Sequence, residues 1–373
     1  MRELPKPEFV KIDPAATEAD LIARYELKSG KTLYPAQVER LFIDQVAYAK
    51  TRVQMAIQNA GEQLLVRFAE APILDYLGEL VATPRLLAVP ARCSLRFSVP
   101  DAVLQPLLIN TGTRVSTQDA KVTFLTDQDI VIPTGQTQAS VTGTCLTAGE
   151  LGNGWAIGQI SVIGNPPVAG LVATNTSITV DGAEDEDSER YRERIILAPE
   201  AFSNAGSRGA YRYHTLAVHQ SIIDVAVLGP DDGQPDGHVA LIPLTSTGLP
   251  SADLLLRIKN QISGEKLRPL CDTVGTFSPS EVQYQIKAHM TFFDTADRAA
   301  SMSTAQAAAE AYAAERRAGL GRDVVREQLT KLLQVNGVYR ADLELPSALR
   351  ELQSHEWANC TSILLIDAGV ANG

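Results

Sequence analysis

The chain of 373 residues carries 33 Lys and Arg against 44 Asp and Glu, a net charge of −11. That balance argues against a nucleic-acid binder, whose affinity comes mostly from basic side chains facing phosphates, and against docking on an anionic membrane surface. With 45% hydrophobic and 21% charged residues, the composition is that of a soluble globular protein. The length suits two to three domains of ~150 residues, large enough to fold without staples.

No run approaches the ~20 apolar residues that span a bilayer. Met1–Pro7 has neither an apolar stretch nor a small-residue cleavage site, so no signal peptide is expected. Cys93, Cys145, Cys271 and Cys360 are spaced neither as zinc ligands nor as a disulfide framework, which points to a reducing compartment.

Residues 1–35, with Pro5, Pro7, Pro14 and Pro35, read as an extended arm holding one short helix near Thr17–Glu26. From Ala36 to Ala71 there is no proline and only one glycine, Gly61. There Val38, Phe42, Val46, Ala49, Val53, Ala56 and Ala60 recur at steps of four and three, one stripe of a helix. Leu41, Tyr48 and Met55 form a second stripe at step seven. At 1.5 Å per residue the helix would be on the order of 50 Å long, more than a compact domain needs. A bundle shared with other subunits accounts for the length and for both stripes; a bent hairpin packing on its own domain is the alternative.

A short helix, Ile73–Val81, closes at Thr83-Pro84. Residues 90–182 then alternate apolar and polar in short runs broken by Gly, Pro, Asn and Asp, an all-β domain, sandwich or irregular barrel. Helices are expected at Glu184–Ala198 and Ser207–Gln220, strands at Ile222–Leu228 and His238–Leu244, and a helix from Ser251 to about Gly264. A strand at Ser280–Phe293 and an alanine-rich helix at Ser303–Arg317 follow. A helix at Asp323–Leu333 and strands at Val338–Leu345 and Ser362–Ile366 complete the series. Residues 183–279 and 280–373 therefore read as two α+β units of the split βαβ type. The whole is a multi-domain α+β chain: an arm (1–35), a helical bundle region (36–89), a β-rich domain (90–182) and the two α+β units.

Catalytic and metal signatures are missing from the sequence. Gly206-Ser207-Arg208-Gly209 has the wrong spacing for a nucleophile elbow. His214 and His219 are five apart and do not share a helix face as zinc ligands do. Gly152-Asn153-Gly154-Trp155-Ala156-Ile157-Gly158 lacks the Lys-Ser/Thr of a phosphate loop and reads as a β-domain turn. Six acids fall within Asp181–Glu189, but an EF-hand loop needs Gly sixth and Glu twelfth, where Glu186 and Arg192 stand. Acids at the positive end of a starting helix, offset by Arg190, Arg192 and Arg194, are the simpler account. No cofactor and no metal are expected.

Three ordered stretches resemble the baseplate J-like family, the wedge proteins of contractile phage tails and related injection machines. The first is Leu74-Asp75-Tyr76-Leu77-Gly78 with Pro84-Arg85, although the family commonly has glycine where Ala82 stands. The second runs from Ile109-Asn110-Thr111-Gly112-Thr113-Arg114-Val115-Ser116-Thr117 through Phe124-Leu125-Thr126 and Ile132-Pro133-Thr134-Gly135-Gln136. It ends at Gly149-Glu150-Leu151-Gly152-Asn153-Gly154 and Gly158-Gln159-Ile160. The third is Asp181–Glu186, Tyr191–Ile195 and Ala198-Pro199, then Phe202-Ser203-Asn204-Ala205-Gly206-Ser207-Arg208-Gly209-Ala210-Tyr211-Arg212-Tyr213; the family usually has two glycines at Asp181-Gly182.

The resemblance implies a non-enzymatic component of the virion tail baseplate, assembled in the cytoplasm of a bacterial host. Two copies would pair with one copy of a smaller wedge protein through a helical core bundle, and six wedges would close a ring around the hub. That ring would join hub and spike to the sheath-initiating and tail-fibre proteins and widen on contraction. Val38, Leu41, Phe42, Val46, Tyr48, Val53 and Met55 are the expected bundle residues, and 205–367 the expected ring contacts. A phage, a bacteriocin and an injection system all fit, and a tail-associated cell-wall hydrolase is the alternative function.

Overall fold

A computed structural model describes residues 5–202, 206–264, 267, 269 and 271–371. Met1–Leu4, at the start of the stretch read for a signal peptide, and Ser203–Ala205 of the third family-like stretch lie outside the described residues. The chain divides into two compact units: residues up to Pro84 with Tyr191–Ile196, and Arg85–Arg190 with Leu197 onward.

In the first unit, helix α1 spans Pro14–Ser29. Its signals are local. Asp13 caps it by accepting from Ala16 N at 2.9 Å, Pro14 fixes the first turn, and Gly30, at φ 69°, closes it in the left-handed region. The expected short helix is therefore a four-turn helix of 16 residues, and the arm is extended only on either side of it. Helix α2 covers Val38–Gln63, 26 residues, or about 39 Å at 1.5 Å per residue. It is shorter than the expected ~50 Å because the chain breaks into successive turns after Gln63, with Leu64 N donating to Gly61 O and Leu65 N to Glu62 O.

Helix α3 (Ile73–Glu79) and the Tyr191–Ile196 part of helix α4 (Ser188–Leu197) enclose a small core. Ala69, Leu74, Tyr191 and Ile195 are buried there, with Val66, Leu77 and Val81 packed around them. Tyr191 donates its phenol hydrogen to Thr83 O at 2.9 Å, and a Cβ on Gly78 would collide with that phenol. Arg192 donates to Val66 O (2.8 Å) and Ala69 O (2.7 Å), and Arg194 to Pro84 O (2.7 Å). Buried guanidiniums thus satisfy the carbonyls of an irregular segment that has no ladder to use.

The second unit begins with the β domain. Strands β1 (Pro90–Ser98), β3 (Arg114–Thr117), β4 (Thr123–Thr126), β6 (Gln138–Ala148), β7 (Ile160–Ile163) and β8 (Val172–Asn175) form one antiparallel sheet, ordered β7-β3-β4-β6-β1-β8. Beside it β2 (Leu107–Ile109) pairs with β5 (Ile130–Ile132). Alternation places Cys93, Leu95 and Phe97 of β1 inside with Val115, Phe124, Val141 and Ile160. Where edge strands β7 and β8 meet, Asn175 is fully buried. Its amide oxygen accepts from Gly158 N (2.9 Å) and Ile160 N (3.0 Å), and its nitrogen donates to Ala156 O (3.0 Å) and Ser177 O (2.8 Å). One side chain thereby stitches a seam that no ladder closes, leaving a nearly closed barrel.

Two α+β units follow. The first holds α5 (Arg208–Leu216), β9 (Ile222–Leu228), β10 (His238–Thr245), α6 (Ala252–Ile262) and β11 (Thr273–Thr276). The second holds β12 (Ser280–Phe293), α7 (Arg298–Arg317), α8 (Arg326–Leu333), β13 (Val338–Leu345) and β14 (Glu356–Ala371). Their sheets are ordered β11-β10-β9 and β13-β12-β14. The parallel pairs β10–β11 and β12–β14 are direct neighbours, so no strand separates them and the split form of the motif is absent from both. Strand β11 was not expected, β14 is 16 residues rather than five, and α7 starts at Arg298, preceded by Asp297, whose carboxylate accepts from Ala300 N.

The acidic run also departs from expectation. Residues 184–187 are not helical. Glu184 accepts from Glu150 N (3.0 Å), Asp185 from Ala88 N (2.8 Å) and Glu186 from Leu86 N (3.1 Å). The carboxylates work as a strap across the end of the β domain. Asp187 alone serves the helix start, accepting from Glu189 N at 2.9 Å.

Candidate assembly surface

Helix α2 uses one face within the chain. Ile43, Ala47 and Thr51 are its buried residues. Beyond them the face turns polar: Gln58 accepts from Phe9 N (2.8 Å) and Val10 N (3.2 Å) and donates to Pro7 O (2.8 Å). Gln54 reaches Lys11 O, and Lys6 pairs with Glu62 at 2.9 Å. Phe9 lies against Gly61, where any Cβ would strike its ring. Near the helix start Arg40 pairs with Glu18 of α1 and with Asp44. The intrachain face thus runs from apolar to amide-rich, as a helix holding down an extended segment requires.

Both apolar stripes lie elsewhere. At about 100° per residue, Val38, Phe42, Val46 and Val53 fall on one flank and Leu41, Tyr48 and Met55 on the other. All seven are exposed, from 42% for Val46 to 78% for Val38. Val38, Phe42 and Val46 meet Leu21 and Tyr25 of α1 and Ile43 in an open groove of about 540 Å³. Tyr48 carries Arg52 over its ring at 6.0 Å. Leu21 and Tyr25 lie inside the expected Thr17–Glu26 helix, but nothing in their local spacing tells that this face of α1 turns toward α2. The arrangement suits helix-in-groove packing, with anchors at spacings of three and four.

Chemistry is sparse by comparison. Among the described residues no group of three or more His, Cys, Asp and Glu is placed to hold a metal. Among the described residues one hydroxyl–imidazole contact is present, Ser221 Oγ to His219 Nδ1 at 2.7 Å. Ser221 N also donates to that nitrogen (3.1 Å), so Nδ1 is the acceptor and Nε2 carries the proton, donating to Asp181 O at 3.1 Å. His219 is 1% exposed, and burial, then the Arg257 charge, lowers its pKa. It is a neutral, fixed ring joining two segments and has no access to substrate. Asp181, at φ 67°, receives the Ser251 hydroxyl on its carboxylate; this is the left-handed turn where the family usually has glycine. Next to it Gly182 has no room for a Cβ between Gly149 O and Asn153, and Asn153 exchanges two hydrogen bonds with Gly182. The glycine-asparagine turn is therefore a structural clasp. Burial pushes the Cys93 thiol up to about 12, with Asp127 and Cys145 adding to the effect, which leaves no thiolate nucleophile there.

The sequence matches three family descriptions in chain order: the Baseplate J-like protein barrel domain over residues 94–182, the Baseplate J-like central domain over 203–278 and the Baseplate J-like protein C-terminal domain over 284–366. Baseplate protein J of Escherichia phage P2 is 31% identical over 213 residues, which cover 54% of this chain and 69% of that relative. The chain belongs to the baseplate J-like family. A chain in a cryo-electron microscopy structure of the anti-feeding prophage baseplate aligns over 94% of this chain and 90% of its own length, with a TM-score of 0.42 and 13% identity. That likeness is too distant to carry an argument. The matched descriptions begin at residue 94, so helices α1 and α2 lie outside all three.

Proposed function

We propose that this protein is a non-catalytic structural component of a contractile-tail baseplate. Two copies pair with one smaller wedge protein, and the wedges close into a ring around the hub. Family membership supports the baseplate role. The observation that carries the pairing is the pair of apolar stripes on α2: soluble monomers rarely expose large contiguous apolar patches, and fully burying each such side chain contributes about 1.5–3 kcal/mol. In this reading α2 and the groove it shares with α1 receive helices of neighbouring subunits. The divisions at residues 90, 183 and 280 separate a bundle region, a β-rich spacer and two ring-forming units. Ring contacts to the hub, sheath-initiating and fibre proteins come from 205–367, in the virion, after assembly in the host cytoplasm.

The test is co-expression with the small protein encoded next to this gene, followed by native mass measurement. A complex of two copies of this chain with one partner is expected. A chain that stays monomeric beside every neighbouring gene product would overturn the reading.

A further inference from the structure

Two Asn-Gly steps lie within the described residues, Asn153-Gly154 and Asn336-Gly337. Such a step carries its own chemistry. The glycine backbone nitrogen is placed to attack the side-chain amide carbon of the asparagine through a five-membered ring, an intramolecular reaction, and glycine has no side chain to hinder the approach. The two steps are held differently. The Asn153 amide nitrogen donates to Gly182 O (2.7 Å) and its oxygen accepts from Gly182 N (2.8 Å). Gly154 N donates to Thr179 O (2.8 Å), so both the carbon under attack and the attacking nitrogen are tied down. Asn336 is exposed in the turn between α8 and β13. Among the described residues neither its side-chain amide nor Gly337 N has a hydrogen-bond partner. Both residues line an open cavity of about 470 Å³ at the start of α7, beside Asp297 and Ser301, which gives water access to them. The turn also requires its glycine: Gly337 sits at φ 88°, and a Cβ there would strike Ser301 Oγ.

We propose that Asn336 is a site of spontaneous deamidation through a succinimide, and that the clasp around Asn153 protects the other step. Gly337 N gives up its proton to solvent and bonds to Asn336 Cγ. The Cγ–Nδ2 bond breaks, and the nitrogen leaves as ammonia after taking a proton from water. A water molecule then adds to one of the two ring carbonyls. Opening at Cγ gives aspartate; opening at the main-chain carbonyl gives isoaspartate. One water is consumed, one ammonia is released and one carboxylate is gained, with no change in oxidation state. The two products differ in what they do to the fold. Aspartate leaves the main chain as it is and adds a charge near Asp297. Isoaspartate inserts one carbon into the main chain at a place without slack. Gly337 O accepts from Phe293 N at 3.1 Å, and Val338 pairs with Phe292 at the start of the β13–β12 ladder. That end of the ladder should open in the isoaspartyl chain.

The experiment ages the full chain in mildly alkaline buffer, folded and in urea, and follows both steps by peptide mapping with mass spectrometry. In the folded chain Asn336 is expected to deamidate at least about tenfold faster than Asn153, which reacts only in locally opened molecules. In urea the two rates should converge. The product at 336 should contain isoaspartate, read by an isoaspartyl methyltransferase, as well as aspartate. Asn336→Asp isolates the charge and should keep the amide protection of Phe293, which the isoaspartyl chain loses. Equal rates at the two steps in the folded chain, an Asn336 that reacts only in urea, or a product of aspartate alone would overturn the proposal.

Discussion

The β domain and the α1–α2 hairpin are both amphipathic, yet they treat their apolar residues in opposite ways. The β domain gathers an enclosed apolar core around Leu95, Phe97, Phe124 and Ile160 and stitches its open seam with Asn175. Its exposed apolar side chains, such as Leu104, Ile157 and Val172, are scattered over separate turns and strands. Helix α2 buries only Ile43, Ala47 and Thr51 and leaves eight large apolar side chains, the seven of the stripes and Ile57, in solvent. The barrel is a finished object; the hairpin is half of one. A substitution in the barrel should therefore register as lost stability of the isolated chain, and one on α2 as lost association.

The largest contrast comes from two phenylalanines. Phe124→Ala in the fully buried barrel core should cost about 3–5 kcal/mol in denaturant unfolding. Phe42→Ala should change isolated-chain stability by no more than about 0.5 kcal/mol while weakening complex formation. Equal losses from both would break the comparison. Asn175→Leu removes the partners of two amides and two carbonyls at the seam, and an unfolding loss of at least about 2 kcal/mol is expected. Gly78→Ala should cost about 1–3 kcal/mol by overpacking against Tyr191, part of which Tyr191→Phe should relieve; a neutral Gly78→Ala would contradict the packing described.

A pH titration sharpens the account further. His219 and His214 have folded pKa values lowered from 6.5 by burial. The unfolded chain thus binds more protons below that value. Their contribution is intact above 6.5 and is lost as pH falls from there toward the folded values. Each histidine adds a slope of at most about 1.4 kcal/mol per pH unit, and His219→Asn should flatten the curve. Asp13→Ala should cost about 1 kcal/mol, seen as fraying of α1 and a less ordered groove wall.

Much of the fold was legible. Ile222–Leu228, Ser280–Phe293 and Val338–Leu345 announced themselves by alternation, and the α7 alanines by propensity. Three elements did not, for separate physical reasons. Strand β11, Thr273–Thr276, is too short and too rich in Thr and Gly to show a period; its pairing with β10 makes it a strand. Strand β14 extends through Asn359 and Asp367 because β12 offers a long template, which no local pattern reports. The run Glu184–Glu186 looked like a helix start because its partners, the amides of Glu150, Ala88 and Leu86, are distant in sequence. On the candidate surface, the two stripes of α2 were readable from spacing, whereas the groove wall of Leu21 and Tyr25 depended on how α1 packs against α2, which no local pattern reports.

The most direct test of the central claim places a photo-crosslinking amino acid at position 42 and irradiates the assembled particle. The account predicts covalent products joining this chain to the smaller wedge protein or to a second copy of itself through helical segments. Irradiated particles in which position 42 yields only intrachain products, while a control position on the barrel gives the same pattern, would contradict it.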